Sequence, residues 1–178
     1  MEVAKWYCCI IASLLRRQMK RDFRKPLIVF TPKSVLRHPK AISSISELSS
    51  GQFEEVIDDT VNPEAVKKLV FCTGKFYYDL LAEREASGKD HIALVRLEQL
   101  FPLHLDKIQK IVDRYPNVEN YIWAQEEPKN MGAWSHIVQR LDIVKLEVMS
   151  RPYSSVPAPG SSTRDKRRQQ AVIDAVFA

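Results

Sequence analysis

From residue 68 onward the apolar and polar positions alternate between two periods. Compact apolar runs occur at 68–73 (KLVFCT), 92–97 (IALVRL), 121–125 (YIWAQ) and 144–149 (VKLEVM). Short runs of this kind, rich in β-branched and aromatic residues, predict buried strands. Each is followed by a stretch with helical period. Phe76, Tyr77, Leu80 and Leu81 share one face of FYYDLLAEREAS, which Gly88 should stop. Leu105, Ile108, Ile111, Val112 and Tyr115 share one face of HLDKIQKIVDRY, and NMGAWSHIVQRL and TRDKRRQQAVIDAVF complete the series. Repeated strand–helix units predict an α/β fold, a mostly parallel sheet with helices on both faces.

The first part of the chain follows another pattern. Ile11, Leu15, Met19 and Phe23 recur every four residues and predict an amphipathic helix over 11–25. Arg16, Lys20 and Arg24 form one basic stripe on it, and Arg17, Arg21 and Lys25 another. Pro26 should end the helix, and LIVF (27–30) reads as a short buried strand. One helix and one strand cannot bury themselves, so they read as the end of a larger domain. Residues 36–63, rich in Ser, Glu and Asp, read as a linker containing a helix-like ISSISELSS. The run WYCCIIASLL (6–15) is well short of the roughly 20 apolar residues a spanning helix needs. It also lacks the small-residue cleavage site of a secretory leader.

At 178 residues, 45% of them hydrophobic and 28% charged, the chain can fill one moderate core. Cys8 and Cys9 are adjacent and Cys72 sits in an apolar run, which gives neither a disulfide framework nor a zinc-ligand spacing. A reducing, cytoplasmic setting fits this usage. Charge changes the picture more. Of the net +5, the excess lies within residues 16–40, where Arg16, Arg17, Lys20, Arg21, Arg24, Lys25, Lys33, Arg37 and Lys40 face Asp22 alone. A second basic knot, RDKRR, occupies 164–168. Two such clusters on a balanced chain point to anionic partners.

The candidate chemistry sits in loops expected at the carboxyl ends of strands, where open α/β sheets bind ligands. In TPKSVLRHPK (31–40), Thr31, Lys33 and Ser34 could bond phosphate oxygens and Arg37 could fork onto them; the plain alternative is a solvated loop. CTGK (72–75) lacks the rest of a nucleotide P-loop and reads as a tight turn. Gln125, Glu126 and Glu127 stand at a strand-to-helix edge. There carboxylates suit a helix amino terminus and Pro128 its first turn. Neighbouring carboxylates on extended chain point in opposite directions, so they make neither a catalytic pair nor, without further His or Asp, a metal site. Arg151 either joins an anion cluster or pairs with Glu126 or Glu127. A small basic anion- or nucleic-acid-binding module is the alternative function, but the basic segment interleaves only Phe23 and Phe30 as stacking residues.

LLRRQ (14–18), RKPLIVFTPKSVLRHP (24–39), VFCTGKFYYDL (70–80), LVRLEQLFPL (94–103) and QEEPKNMGAW (125–134) occur in that order. Together they resemble the carboxyl-terminal end of the thiamine-diphosphate-dependent decarboxylating subunit of the 2-oxoglutarate dehydrogenase complex. The resemblance implies a transketolase-like carboxyl-terminal domain over 64–178, a linker over 36–63, and the last helix and strand of a pyrimidine-binding domain over 14–35. Residues 1–13 are an atypical start, departing from the family's pattern. The resemblance further implies decarboxylation of 2-oxoglutarate and succinyl transfer to a lipoyl arm, in the tricarboxylic acid cycle, by the full-length subunit. Its cofactors would be thiamine diphosphate and magnesium. The family's GDG diphosphate motif does not occur in this sequence. The chain is therefore expected to bind no cofactor and to be inactive alone, serving dimer assembly. Implied partners are the rest of the subunit, a second copy and the lipoyl succinyltransferase component, with neither a membrane nor nucleic acid. An acetyl-CoA or AMP effector is also implied, with Arg17 and Arg151 added to Thr31, Lys33, Ser34 and Arg37.

Overall fold

The computed structural model describes residues 3–30 and 32–178; the side chains of residues 3–9 and of Arg37 lie outside that description, as does Thr31. The chain divides into two compact units, Met1–Glu54 and Glu55–Ala178.

In the first unit, β1 (Val3–Lys5) leads directly into α1 (Trp6–Met19). β2 (Ile42–Ser44) pairs antiparallel with β1, Ala4 opposite Ser43, and α2 (Ile45–Ser50) follows it. Ser44 starts α2 with a reciprocal cap. Its hydroxyl accepts from the Glu47 N–H at 3.2 Å, while the Glu47 carboxylate accepts from the Ser44 N–H at 2.8 Å.

Two expectations for this unit need correction. The helix ends at Met19 rather than at residue 25. The basic stripes place like charges four residues apart, which opposes further helix, whereas cations gathered beyond a helix end complement its dipole. The chain instead folds back, with the Gln18 amide donating to Lys25 O at 2.8 Å and the Arg24 guanidinium to Arg21 O at 3.0 Å. LIVF is not a strand: residues 24–30 carry no regular structure, and Phe30 is 90% exposed. A strand requires a neighbour, and β1 and β2 are engaged with each other. The TPKSVLRHPK loop consequently leaves no strand; it contains a 3-10 turn, Val35–Arg37.

The second unit is a five-stranded sheet in the order β3-β5-β4-β6-β7. Its elements are β3 (Val56–Ile57), β4 (Lys68–Cys72), α3 (Phe76–Ser87), β5 (Ile92–Leu97), α4 (Leu105–Arg114), β6 (Asn120–Pro128), α5 (Trp134–Arg140), β7 (Leu146–Arg151) and α6 (Ser162–Phe177). β5, β4, β6 and β7 run parallel, and only the short β3 is antiparallel. Alternation along the strands builds two cores. Leu69, Phe71, Val95 and Trp123 face α4 and α5 with Ile108 and Ile137. Val70, Cys72, Leu94 and Ile122 face α3 and α6 with Leu80 and Val176. Gly88 closes α3 in a left-handed conformation, φ 62°, as expected.

β3 lies inside the stretch read as linker, and the same stretch supplies the buried acid of the domain. Asp59 accepts from both Nη atoms of the Arg84 guanidinium in α3 and, at 2.7 Å, from the Leu94 N–H in β5. Residues 55–178 expressed alone should therefore melt cooperatively. Residues 63–178, which lack β3 and strand Arg84 without Asp59, should lose about 3–5 kcal/mol, the cost of orphaning a buried charge. Equal urea midpoints for the two fragments would show that Asp59 holds nothing.

Candidate functional site

In the second unit the helices after β4 and β6 lie on opposite faces of the sheet, so the carboxyl ends of these neighbouring strands frame a topological switch point. Lys75, in the turn after β4, spans it to Glu126 on β6, Nζ to Oε2 2.7 Å. From there a cavity of about 610 Å³ extends between α3 and α6, lined among others by Asp79, Arg151, Asp165 and Gln169. Arg151, buried at the end of β7, donates to Asp165 at 2.7 Å and to the Gln169 side-chain oxygen at 2.8 Å. Gln169 passes the chain on to Asp79 at 3.2 Å. Arg151 thus pairs across to α6, not to Glu126 or Glu127. β7 ends beside the first turns of α6, and Lys75 already occupies Glu126.

The second finding at this edge concerns Gln125. It is 3% exposed, and its side chain organises the whole of QEEPKNMGAW. The side-chain oxygen accepts from the Trp123 indole N–H at 2.8 Å and from the Trp134 backbone N–H at 3.1 Å. Its nitrogen donates to Met131 O at 2.8 Å and Pro128 O at 3.1 Å. Glu126 and Glu127 lie on the strand side of this edge: β6 continues through Pro128, with an irregular register against β7 between Ala124 and Pro128, and α5 waits until Trp134. The two carboxylates therefore do not complement a helix dipole. What delays the helix is the Gln125 amide, which holds residues 128–131 in a loop around itself. Gly132 crosses that amide at φ 68°, and a Cβ there would stand 3.0 Å from Gln125 Nε2 and 3.1 Å from Glu127 Cβ. The sequence signal for this knot is the lone amide closing an apolar run ahead of Gly-Ala-Trp.

Further along the edge, Arg96 lies buried at the end of β5, its guanidinium 4.3 Å from the centre of the Tyr77 ring and its Nε 3.8 Å from Glu98. Burial pushes the Glu98 carboxyl above its usual range, with Arg96 pulling the other way. Burial likewise raises the Cys72 thiol to about 12, making it a small core residue rather than a nucleophile.

The predicted anion residues do not come together in one described cluster. Arg17, Lys33 and Ser34 belong to the first unit. Arg17 lays its guanidinium 4.1 Å over the Phe53 ring, and Lys33 and Ser34 are exposed, Ser34 preceding the 3-10 turn without a side-chain cap. Thr31 and the Arg37 side chain lie outside the described residues. Arg151 belongs to the second unit. Among the described residues no group of three or more His, Cys, Asp or Glu could hold a metal ion, and no helix is long and apolar enough to cross a membrane. Among the described residues no side-chain set matches the diphosphate and magnesium that the resemblance implies.

This architecture is a doubly wound α/β domain whose ligand-binding edge is closed by its own side-chain pairs. The chain belongs to the 2-oxoglutarate dehydrogenase C-terminal family, whose model matches residues 42–177. It is 45% identical over 171 residues to the rat (Rattus norvegicus) 2-oxoadipate dehydrogenase complex component E1, covering 92% of this chain and 19% of that protein. It is 44% identical over 174 residues to the 2-oxoglutarate dehydrogenase E1 component of Haemophilus influenzae, covering 93% of this chain and again 19% of the relative. A split gene transketolase, solved as an inactive beta4 tetramer, aligns with 71% of this chain and 43% of its own at a TM-score of 0.48 and 13% identity.

Gly132→Ala should strain the left-handed backbone and press on the Gln125 amide, costing at least about 1 kcal/mol. Gln125→Leu should cost more, roughly 1–3 kcal/mol for each buried group it orphans. Urea unfolding followed at the tryptophans measures both. A neutral Gly132→Ala would mean that the loop is not held around Gln125.

Proposed function

We propose that this chain is the carboxyl-terminal portion of a 2-oxoglutarate dehydrogenase E1 subunit and that it serves assembly and regulation rather than catalysis. The supporting observation is the family match over 42–177, on a domain whose switch-point edge is filled by Lys75–Glu126 and Arg151–Asp165. The pairing of Lys75 with Glu126 and of Arg151 with Asp165 supports a structural role for this edge. On this reading the reaction, with its thiamine diphosphate and magnesium, resides in the rest of the subunit. Its partners are a second copy and the lipoyl succinyltransferase component, in the cytoplasm or the mitochondrial matrix. The 2-oxoadipate relatives define the competing substrate, one methylene longer.

An antibody to residues 55–178 tests this in source cells. Immunodepletion should remove a species several times heavier than 20.5 kDa together with the 2-oxoglutarate-dependent reduction of NAD. Loss of the 2-oxoadipate-dependent reaction alone would reassign the substrate. A species at the chain's own mass, with both activities intact, would overturn the proposal.

The regulatory part is an acetyl-CoA or AMP effector held within the first unit by Arg17, Thr31, Lys33, Ser34 and Arg37. It is supported by the basic sequence of this loop and by the exposure of Lys33, Ser34 and Lys40. Lys33→Ala combined with Arg37→Ala should abolish a nucleotide-induced rise in melting temperature. A rise that survives the double substitution would place the effector elsewhere.

A further inference from the structure

The cavity between α3 and α6 has a volume of about 610 Å³, within the range of small-molecule sites. Three cations and four carboxylates line it, a net charge of −1. Two pairs are internal, Lys75 with Glu126 and Arg151 with Asp165. Asp79 and Glu83 on the α3 wall and Lys166 on the α6 wall remain, and none of them has an ion-pair partner among the described residues. One cavity therefore presents unpaired acids on one helix and an unpaired ammonium on the other.

Asp79 and Glu83 stand one turn apart on α3, the spacing at which helical side chains share a face. Gln169 reaches Asp79 from α6 and bonds Oδ2 alone, at 3.2 Å, which fixes this carboxylate and leaves Oδ1 without a partner among the described residues. Asp165 likewise gives Oδ1 to Arg151 and keeps its side chain 46% exposed. An anion in this cavity would meet four carboxylates, and a ligand carrying cations alone would meet Lys166. A molecule of net charge +1 that carries both signs matches every unpaired group.

We propose that this cavity binds a free basic amino acid. The side-chain cation lies between Asp79 and Glu83, where a guanidinium donates to both carboxylates. The ligand carboxylate pairs with the Lys166 ammonium, and its α-ammonium takes the second oxygen of Asp165. A basic residue at the carboxyl end of a peptide lacks that ammonium and leaves Asp165 unmatched. The bound molecule bridges α3 to α6. The site lies wholly in the second unit and draws on none of the effector residues of the first.

Calorimetric titration of the 178-residue chain with L-arginine at low ionic strength tests this. Arginine should bind saturably, one molecule per chain, and should raise the melting temperature. Agmatine, which lacks the carboxylate, and N-acetyl-arginine, which lacks the α-ammonium, should each bind about tenfold more weakly, the loss of one charged contact. Glu83→Gln should weaken arginine by a similar factor. Lys166→Met should weaken arginine yet leave agmatine unchanged, a split that loss of folding does not produce. No saturable binding, agmatine bound as tightly as arginine, or an affinity indifferent to both substitutions would overturn the proposal.

Discussion

A single carboxylate, that of Asp59, decides how the sheet of the second unit is closed. β3 is only two residues long and pairs with Leu97 and Arg96. Beyond its end, β5 still presents the Leu94 N–H, and the Asp59 side chain takes it where a longer strand would have supplied a carbonyl. The same carboxylate grips Arg84 of α3, the helix that carries the chain from β4 over to β5. One residue therefore ties the sheet edge, the neighbouring strand and the crossover helix together. Arg84 also donates to Ile92 O at 3.1 Å, which pins the start of β5. A buried ion pair of this kind adds little net stability, since desolvation offsets much of the attraction. Its effect here is to permit one arrangement of three elements and to make any slip leave a buried charge unpaired.

The same economy governs the opposite end of the sheet. At the carboxyl edge Gln125, Lys75 and Arg151 each satisfy groups on other segments, so loops that would otherwise be free are fixed against the strands. In many open α/β domains that edge is left vacant for a ligand. Here Lys75–Glu126 and Arg151–Asp165 tie β6, β7, α3 and α6 together beside a cavity of about 610 Å³. The chain spans about a fifth of its relatives' length, 19% in the rat and Haemophilus proteins.

Most of the second unit was legible because its signals are strong and local. KLVFC and IALVRL are apolar runs buried on both faces, and the helix face of Leu105, Ile108 and Val112 has a clear period. What escaped has weaker signals. A two-residue edge strand has no periodicity, and Asp59 looks like any acid in a Ser- and Glu-rich stretch until the fold brings Arg84 to it, 25 positions away in sequence. Gln125 was noticed, but as one polar residue among three. Only the loop geometry separates its buried amide from the half-exposed Glu126 and exposed Glu127. In the first unit repulsion within the basic stripes outweighs the four-residue repeat of Ile11, Leu15, Met19 and Phe23 beyond Met19, and among the described residues no strand pairs with LIVF.

Charge is distributed so that the two units can serve different ends. In the second unit Arg84, Arg96 and Arg151 are buried and close to carboxylates, while Arg164, Lys166 and Arg167 stay exposed at the start of α6. The first unit exposes Arg16 in the last turn of α1 and Lys20, Arg21, Arg24 and Lys25 just beyond it, with Lys33 on the following loop. The i,i+4 spacing that ends the helix is what spreads these groups over a turn. A turn rich in cations is adaptable, and it keeps the charges solvated until an anion arrives. Beyond α1 the cations are held by no regular element, whereas the buried arginines of the sheet are fixed beside their carboxylates.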